Sequence, residues 1–167
     1  MKRNYRNYAF VLLISGLLLS GCAVRPMVPT TTIGSIGSRE RLLIATQTSE
    51  FKDGVVSNVT QEFEKAGLFI EITDLESLEN RSCRDYQAII IMNEYKAFRN
   101  DSRVTRFMEG VDAGDTKKIV LLTTAGAPGM IPEKWDVDAI SAASEMAEVD
   151  SVSRLIIRKV HMILTSE

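Results

Sequence analysis

The chain has 167 residues, 45% of them hydrophobic, with 20 Lys+Arg against 22 Asp+Glu and a formal net charge of −2. That length suits one ordinary domain with a real core. No basic patch stands out, which argues against nucleic acid as a partner, and two cysteines are too few for a disulfide scaffold.

Lys2, Arg3 and Arg6 open the chain, with no acid among them. An apolar run over residues 9–19 follows, broken only by Ser15 and Gly16, and ends in Leu19-Ser20-Gly21-Cys22. A basic start, a short apolar run and small residues at the end are the marks of a secretory signal peptide. The run is about half of the ~20 residues an anchor helix needs to span a bilayer. The order Leu-Ser-Gly-Cys resembles the lipobox of bacterial lipoproteins. The resemblance covers residues 1–22 and implies cleavage before Cys22, a diacylglyceryl thioether on its thiol and acylation of its new amine. Acyl chains at ~0.8 kcal/mol per buried CH₂ would hold the protein on a membrane. Ala23 after the cysteine is not the aspartate that retains many such proteins at the inner membrane. That leans toward the outer membrane of a two-membrane envelope. Residues 1–21 contain three of the basic residues and none of the acids, so the remaining 146 residues carry a net charge of −5. With Cys22 lipidated, Cys83 has no intrachain partner and the fold must stand without a disulfide.

Residues 22–38 comprise the lipidated cysteine and a stretch with two prolines, two glycines and five Ser/Thr. This composition predicts a flexible tether, with Pro26 and Pro29 opposing much of an edge strand. The domain is expected over residues 39–167. Leu42-Leu43-Ile44-Ala45 is a continuous apolar run, as in a strand buried on both faces. Residues 53–66 place Val55, Val56, Val59 and Phe63 at helical spacing, with Gly67 after them as a C-terminal stop. Residues 68–72 form a second strand, residues 73–85 a polar, turn-like region with room for a helical turn, and residues 88–92 a third, fully apolar strand. Asp101 suits the N-cap of a helix carrying Val104, Phe107, Met108 and Val111. Residues 119–122 give a fourth strand and residues 137–140 a weaker fifth. Val152, Ile156, Val160 and Ile163 then mark a long amphipathic helix. Apolar strands alternating with helices predict βαβ units, right-handed crossovers and a parallel sheet covered on both faces.

In such a sheet, ligands lie beyond the C-terminal strand ends, at the point where strand order reverses. Three loops qualify. The first, Thr46-Gln47-Thr48-Ser49-Glu50-Phe51, brings hydroxyls and amides to a helix N-terminus, which suits an anion. The second is Asn93-Glu94-Tyr95-Lys96-Ala97-Phe98. The third is Thr123-Thr124-Ala125-Gly126-Ala127-Pro128-Gly129.

From these loops and the element order, residues 40–164 resemble the flavodoxin-like family. The resemblance implies one three-layer α/β domain with a five-stranded parallel sheet in the order 2-1-3-4-5. It also implies a flavin mononucleotide site, with Thr46, Gln47, Thr48 and Ser49 at the phosphate, Tyr95 beside the ring, and Thr124 and Gly126 in the opposite loop. The family's phosphate loop reads Thr/Ser-x-Thr-Gly-x-Thr. Here Ser49 stands at the glycine and Phe51 at the last threonine, Glu50 adds a carboxylate, and no aromatic accompanies Thr124.

Several residues have a structural use beside the functional one. Thr46 and Thr48 suit the capping of the first helix, and Tyr95 and Phe98 suit packing over the sheet edge. His161 has no partner at metal-ligand spacing, and Asp136 with Asp138 reads as strand-end turn chemistry. Arg84 beside Cys83 would lower the thiol pKa a little, but a bystander thiol is the stronger reading of Cys83. No Ser/His/Asp or Cys/His set can be assembled around the single histidine, which argues against an enzyme. The expectation is a membrane-anchored envelope lipoprotein, bound to lipid through Cys22, whose domain is an interaction module for an envelope protein with a degenerate flavin site. The alternative is an electron carrier that binds flavin mononucleotide.

Overall fold

The computed structural model describes residues 26–96, 99–126 and 135–166. The expected signal peptide, Cys22, Phe98 and residues 127–134 lie outside the described residues. The elements in chain order are β1 (Thr31–Ile33), β2 (Arg41–Thr46), α1 (Glu50–Lys65), β3 (Phe69–Asp74), β4 (Ala88–Glu94), α2 (Ser102–Glu109), β5 (Ile119–Thr124), β6 (Asp138–Ala142) and α3 (Val149–Thr165). They build one six-stranded sheet in the order β1-β3-β2-β4-β5-β6.

The five strands β2 to β6 pair in parallel, and they reproduce the order 2-1-3-4-5 read from the sequence. Each central strand buries both faces, as its unbroken apolar run requires. Leu42 and Ile44 of β2 join a core with Val55, Val59 and Phe63 of α1 and Val152, Ile156 and Val160 of α3. Leu43 and Ala45, one residue out of phase, join the opposite core with Leu75, Leu78, Val104, Phe107 and Met108. Period-two alternation thus divides one strand between two cores. On the second face α2 is short. The β3–β4 connection covers the rest with two 3₁₀ segments, Leu75–Asn80 and Cys83–Asp85, within the polar region where the sequence allows a helical turn.

One expectation is corrected. The composition of residues 22–38 predicts a flexible tether, but Thr31–Ile33 pairs antiparallel with β3 from Ile72 to Ile70. Ahead of it, Val28 N donates to Asp74 Oδ2 at 3.1 Å, and the hydroxyls of Thr30 and Thr73 lie 2.9 Å apart. The prolines permit this because Pro26 and Pro29 precede the strand, and among the described residues β1 has no neighbour on its outer side. Gly34 closes the strap at φ 87°, and a Cβ there would strike the Leu68 carbonyl. The sheet therefore has six strands where five were expected.

Candidate functional site

The strand order reverses between β2 and β4, so the loops after these strands flank the crevice where ligands of such sheets lie. Thr46 is the last residue of β2 and is buried, its hydroxyl donating to Gln47 O at 3.2 Å. Thr48 is exposed and its hydroxyl donates to Pro26 O at 3.2 Å. The cap of α1 is neither threonine. It is Ser49, whose Oγ accepts from Lys52 N at 3.1 Å from an extended backbone. The helix therefore begins at Glu50, three residues before the apolar spacing shows it, and the loop from strand to helix is only residues 47–49. Glu50 is exposed in the first turn, where its charge suits the helix dipole.

Gln47 is buried and its Nε2 donates to Asp101 Oδ2 at 2.9 Å, which ties the two sides of the switch point together. Asp101 caps α2 as its position suggests, with Oδ1 accepting from Arg103 N at 2.9 Å. It also holds the Arg103 guanidinium, through Nε to Oδ1 at 2.9 Å and Nη2 to Oδ2 at 2.7 Å. Arg103 Nη1 reaches two further carboxylates, Asp74 at 3.3 Å and Glu76 at 3.4 Å. The Arg103 hydrogen bonds hold the Asp101 carboxyl below the usual carboxylate range, against the opposing effect of burial. The Asp101 contact raises the Arg103 pKa in turn. Three carboxylates thus surround one cation at the C-terminal ends of β3, β2 and β4.

The second loop is braced by Asn93, which is fully buried. Its Oδ1 accepts from Glu94 N at 2.8 Å and Asp101 N at 3.2 Å, and its Nδ2 donates to Asn100 Oδ1 at 3.0 Å. Tyr95 is half-buried, and its backbone N–H donates to Thr124 O at 2.8 Å. Thr124 is buried with its hydroxyl on Asn93 O at 3.2 Å, while Gly126 is exposed. Thr124 and Tyr95 therefore meet as parts of adjoining loops, and Thr46, Gln47, Thr48 and Ser49 form the strand-to-helix turn. The backbone of 26–27 lies against that turn. Two small clefts open here. One, of about 130 Å³, is lined by Met27, Gln47, Thr48, Asp74 and Arg103 among others. The other, of about 190 Å³, is lined by Gln47, Glu94, Lys96, Arg99, Asn100 and Asp101.

Asp74, Arg103 and Pro26 belong to this site, and sequence reasoning did not single them out. Residues 26, 47, 74 and 101 share no local pattern; only the parallel sheet makes them neighbours. Elsewhere, a cleft of about 440 Å³ beside Cys83, Phe107 and Gly110 is rimmed by arginines that hold carboxylates: Arg81 with Glu71, Arg84 with Asp112 and Arg106 with Glu79. Cys83 is buried, and burial pushes its thiol pKa up. The Arg84 guanidinium lies in solvent, 3.7 Å from Asp112. His161 packs its ring 5.0 Å from that of Phe63 and faces Glu62 at 3.5 Å. Asp138 takes Lys159 Nζ at 2.7 Å, and Trp135 packs on the second core. Among the described residues no helix is long and apolar enough to cross a membrane.

No family model matches the chain, and no curated protein matches it. Solved structures do. An archaeal flavodoxin superposes with a TM-score of 0.52 at 11% identity, over 74% of this chain and 98% of its own. Oxidised flavodoxin 2 from Bacillus cereus gives 0.53 at 12% identity, over 74% and 99%. The chain has a flavodoxin-like fold. Both structures are matched over nearly their whole length. At this identity the likeness concerns the fold and leaves the site to its own chemistry.

Proposed function

We propose that this is a lipid-anchored protein of the bacterial cell envelope, held through Cys22, whose flavodoxin-like domain is an interaction module with a degenerate flavin site. The observation that carries the second half is the Asp74–Glu76–Asp101 cluster around Arg103 at the switch point. A flavin mononucleotide phosphate is a dianion and needs free donors. Here the Thr46 and Thr48 hydroxyls donate to the carbonyls of Gln47 and Pro26, and the Arg103 guanidinium is already paired with carboxylates. The residues present do not fit the phosphate group, and no electron-transfer step is assigned to them. The anchor rests on Leu19-Ser20-Gly21-Cys22 and the basic start, and Ala23 favours the outer membrane where there is one.

A second reading, a flavin mononucleotide-dependent electron carrier, is favoured by the match over nearly all of two flavodoxins. Titration of flavin mononucleotide with the detergent-purified protein separates the two. The interaction module leaves flavin fluorescence unquenched at tens of micromolar protein. Submicromolar binding would restore the electron carrier. The anchor is tested by the intact mass of the mature N-terminus, and an unmodified terminus at any residue after 22 refutes it.

A further inference from the structure

We infer that the domain is held with the C-terminal edge of its sheet turned to the bilayer, because the strap over residues 26–34 is fixed to that edge and leaves only residues 23–25 between it and the anchor. This rests on the lipidation of Cys22 proposed above.

The strap is fastened at successive points. Gly34 lies against Leu68, the residue before β3. Thr31–Ile33 then pairs with Ile72 to Ile70. Thr30 meets Thr73, and Val28 binds Asp74, the last residue of β3. Pro26 finally accepts from Thr48, beside the first turn of α1. Read from Gly34 back to Pro26, the strap runs along β3 from the N-terminal to the C-terminal edge of the parallel sheet. It delivers the chain at the crevice. Four Cα–Cα steps separate Cys22 from Pro26, so their reach is at most about 14 Å. A strand of six residues is about 20 Å long. The molecule cannot stand inverted, with the loop at Ala113 before β5 on the lipid and the crevice turned away, while Pro26 stays docked. A free tether of the length that the composition suggests would set no such orientation.

Charge does not set the orientation. The crevice edge mixes Asp74, Glu76, Glu94 and Asp101 with Lys96, Arg99 and Arg103, so it has no cationic surplus to draw it to anionic lipid. Reach alone decides, and moderate salt should leave the arrangement unchanged.

The test uses the full-length protein, purified with its lipid and reconstituted in vesicles that carry a headgroup-linked acceptor dye. A donor dye is placed on Glu50→Cys, at the exposed start of α1, or on Ala113→Cys, each with Cys83→Ala. Energy transfer should be several-fold greater from position 50 than from position 113. A flexible insertion of a dozen Gly/Ser residues after Val24 should abolish most of that difference. Equal or reversed transfer from a protein whose mass confirms acylation overturns the orientation alone. A protein without acyl mass overturns the anchor reading and the orientation with it.

Discussion

Asp101→Ala probes how firmly the carboxylate cluster joins the two sides of the switch point. The substitution removes the α2 cap, two hydrogen bonds from the Arg103 guanidinium and one from Gln47. The cap is worth about 1 kcal/mol. A hydrogen bond to a charged group contributes about 1.5–3 kcal/mol, but Arg103 keeps Asp74 at 3.3 Å and Glu76 at 3.4 Å and is not left unpaired. The Asp101 and Arg103 side chains are 17% and 28% exposed, so water replaces part of the loss. The total expected is about 2–3 kcal/mol, a fall in Tm on the order of 5–10 °C for a domain of this size. Asp101→Asn keeps a capping oxygen and should lose about 1 kcal/mol less. The folded-state pKa of Asp101 is depressed, so its contribution is present above the unfolded value near ~3.9 and is lost as pH falls through the lower folded value. Urea melts of the parent and Asp101→Asn should therefore differ by a constant amount from about pH 5 to 8 and converge below about pH 4. An Asp101→Ala protein within about 0.5 kcal/mol of the parent at pH 7 would refute the reasoning, for the cluster would then be an ordinary solvated ion pair.

Three further outcomes are expected. Ile156→Asp puts a charge on a fully buried position between α3 and the sheet, at a cost of several kcal/mol, and should yield no cooperative melt by circular dichroism. Gly34→Ala forces a Cβ against the Leu68 carbonyl at positive φ, costing about 1–3 kcal/mol, and should speed amide hydrogen exchange in β1 well before β4. Cys83, buried with a raised pKa, should resist iodoacetamide at pH 7 in the native protein and react at once in urea; rapid native labelling would place it in solvent.

The sequence by itself determined the layered architecture. Runs such as Ala88-Ile89-Ile90-Ile91-Met92 have no polar alternation, so only a sheet covered on both faces can hold them. The spacing of Val152, Ile156 and Val160 likewise determined the buried face of α3. Capping chemistry was legible at Asp101 because it acts within two residues. What tertiary structure alone decided is everything that depends on distant strand ends meeting. Thr31-Thr32-Ile33 lies in a Pro/Gly-rich stretch with no period, and it becomes a strand only because β3 offers an unpaired edge. Gln47, Asp74 and Asp101 come from three separate connections, and parallel register brings them around Arg103. The composition of residues 23–38 reads the same whether the segment swings free or is fastened. The hydrogen bonds of Val28, Thr30 and Thr48 decide that, and their partners lie 22 to 46 residues away in the chain.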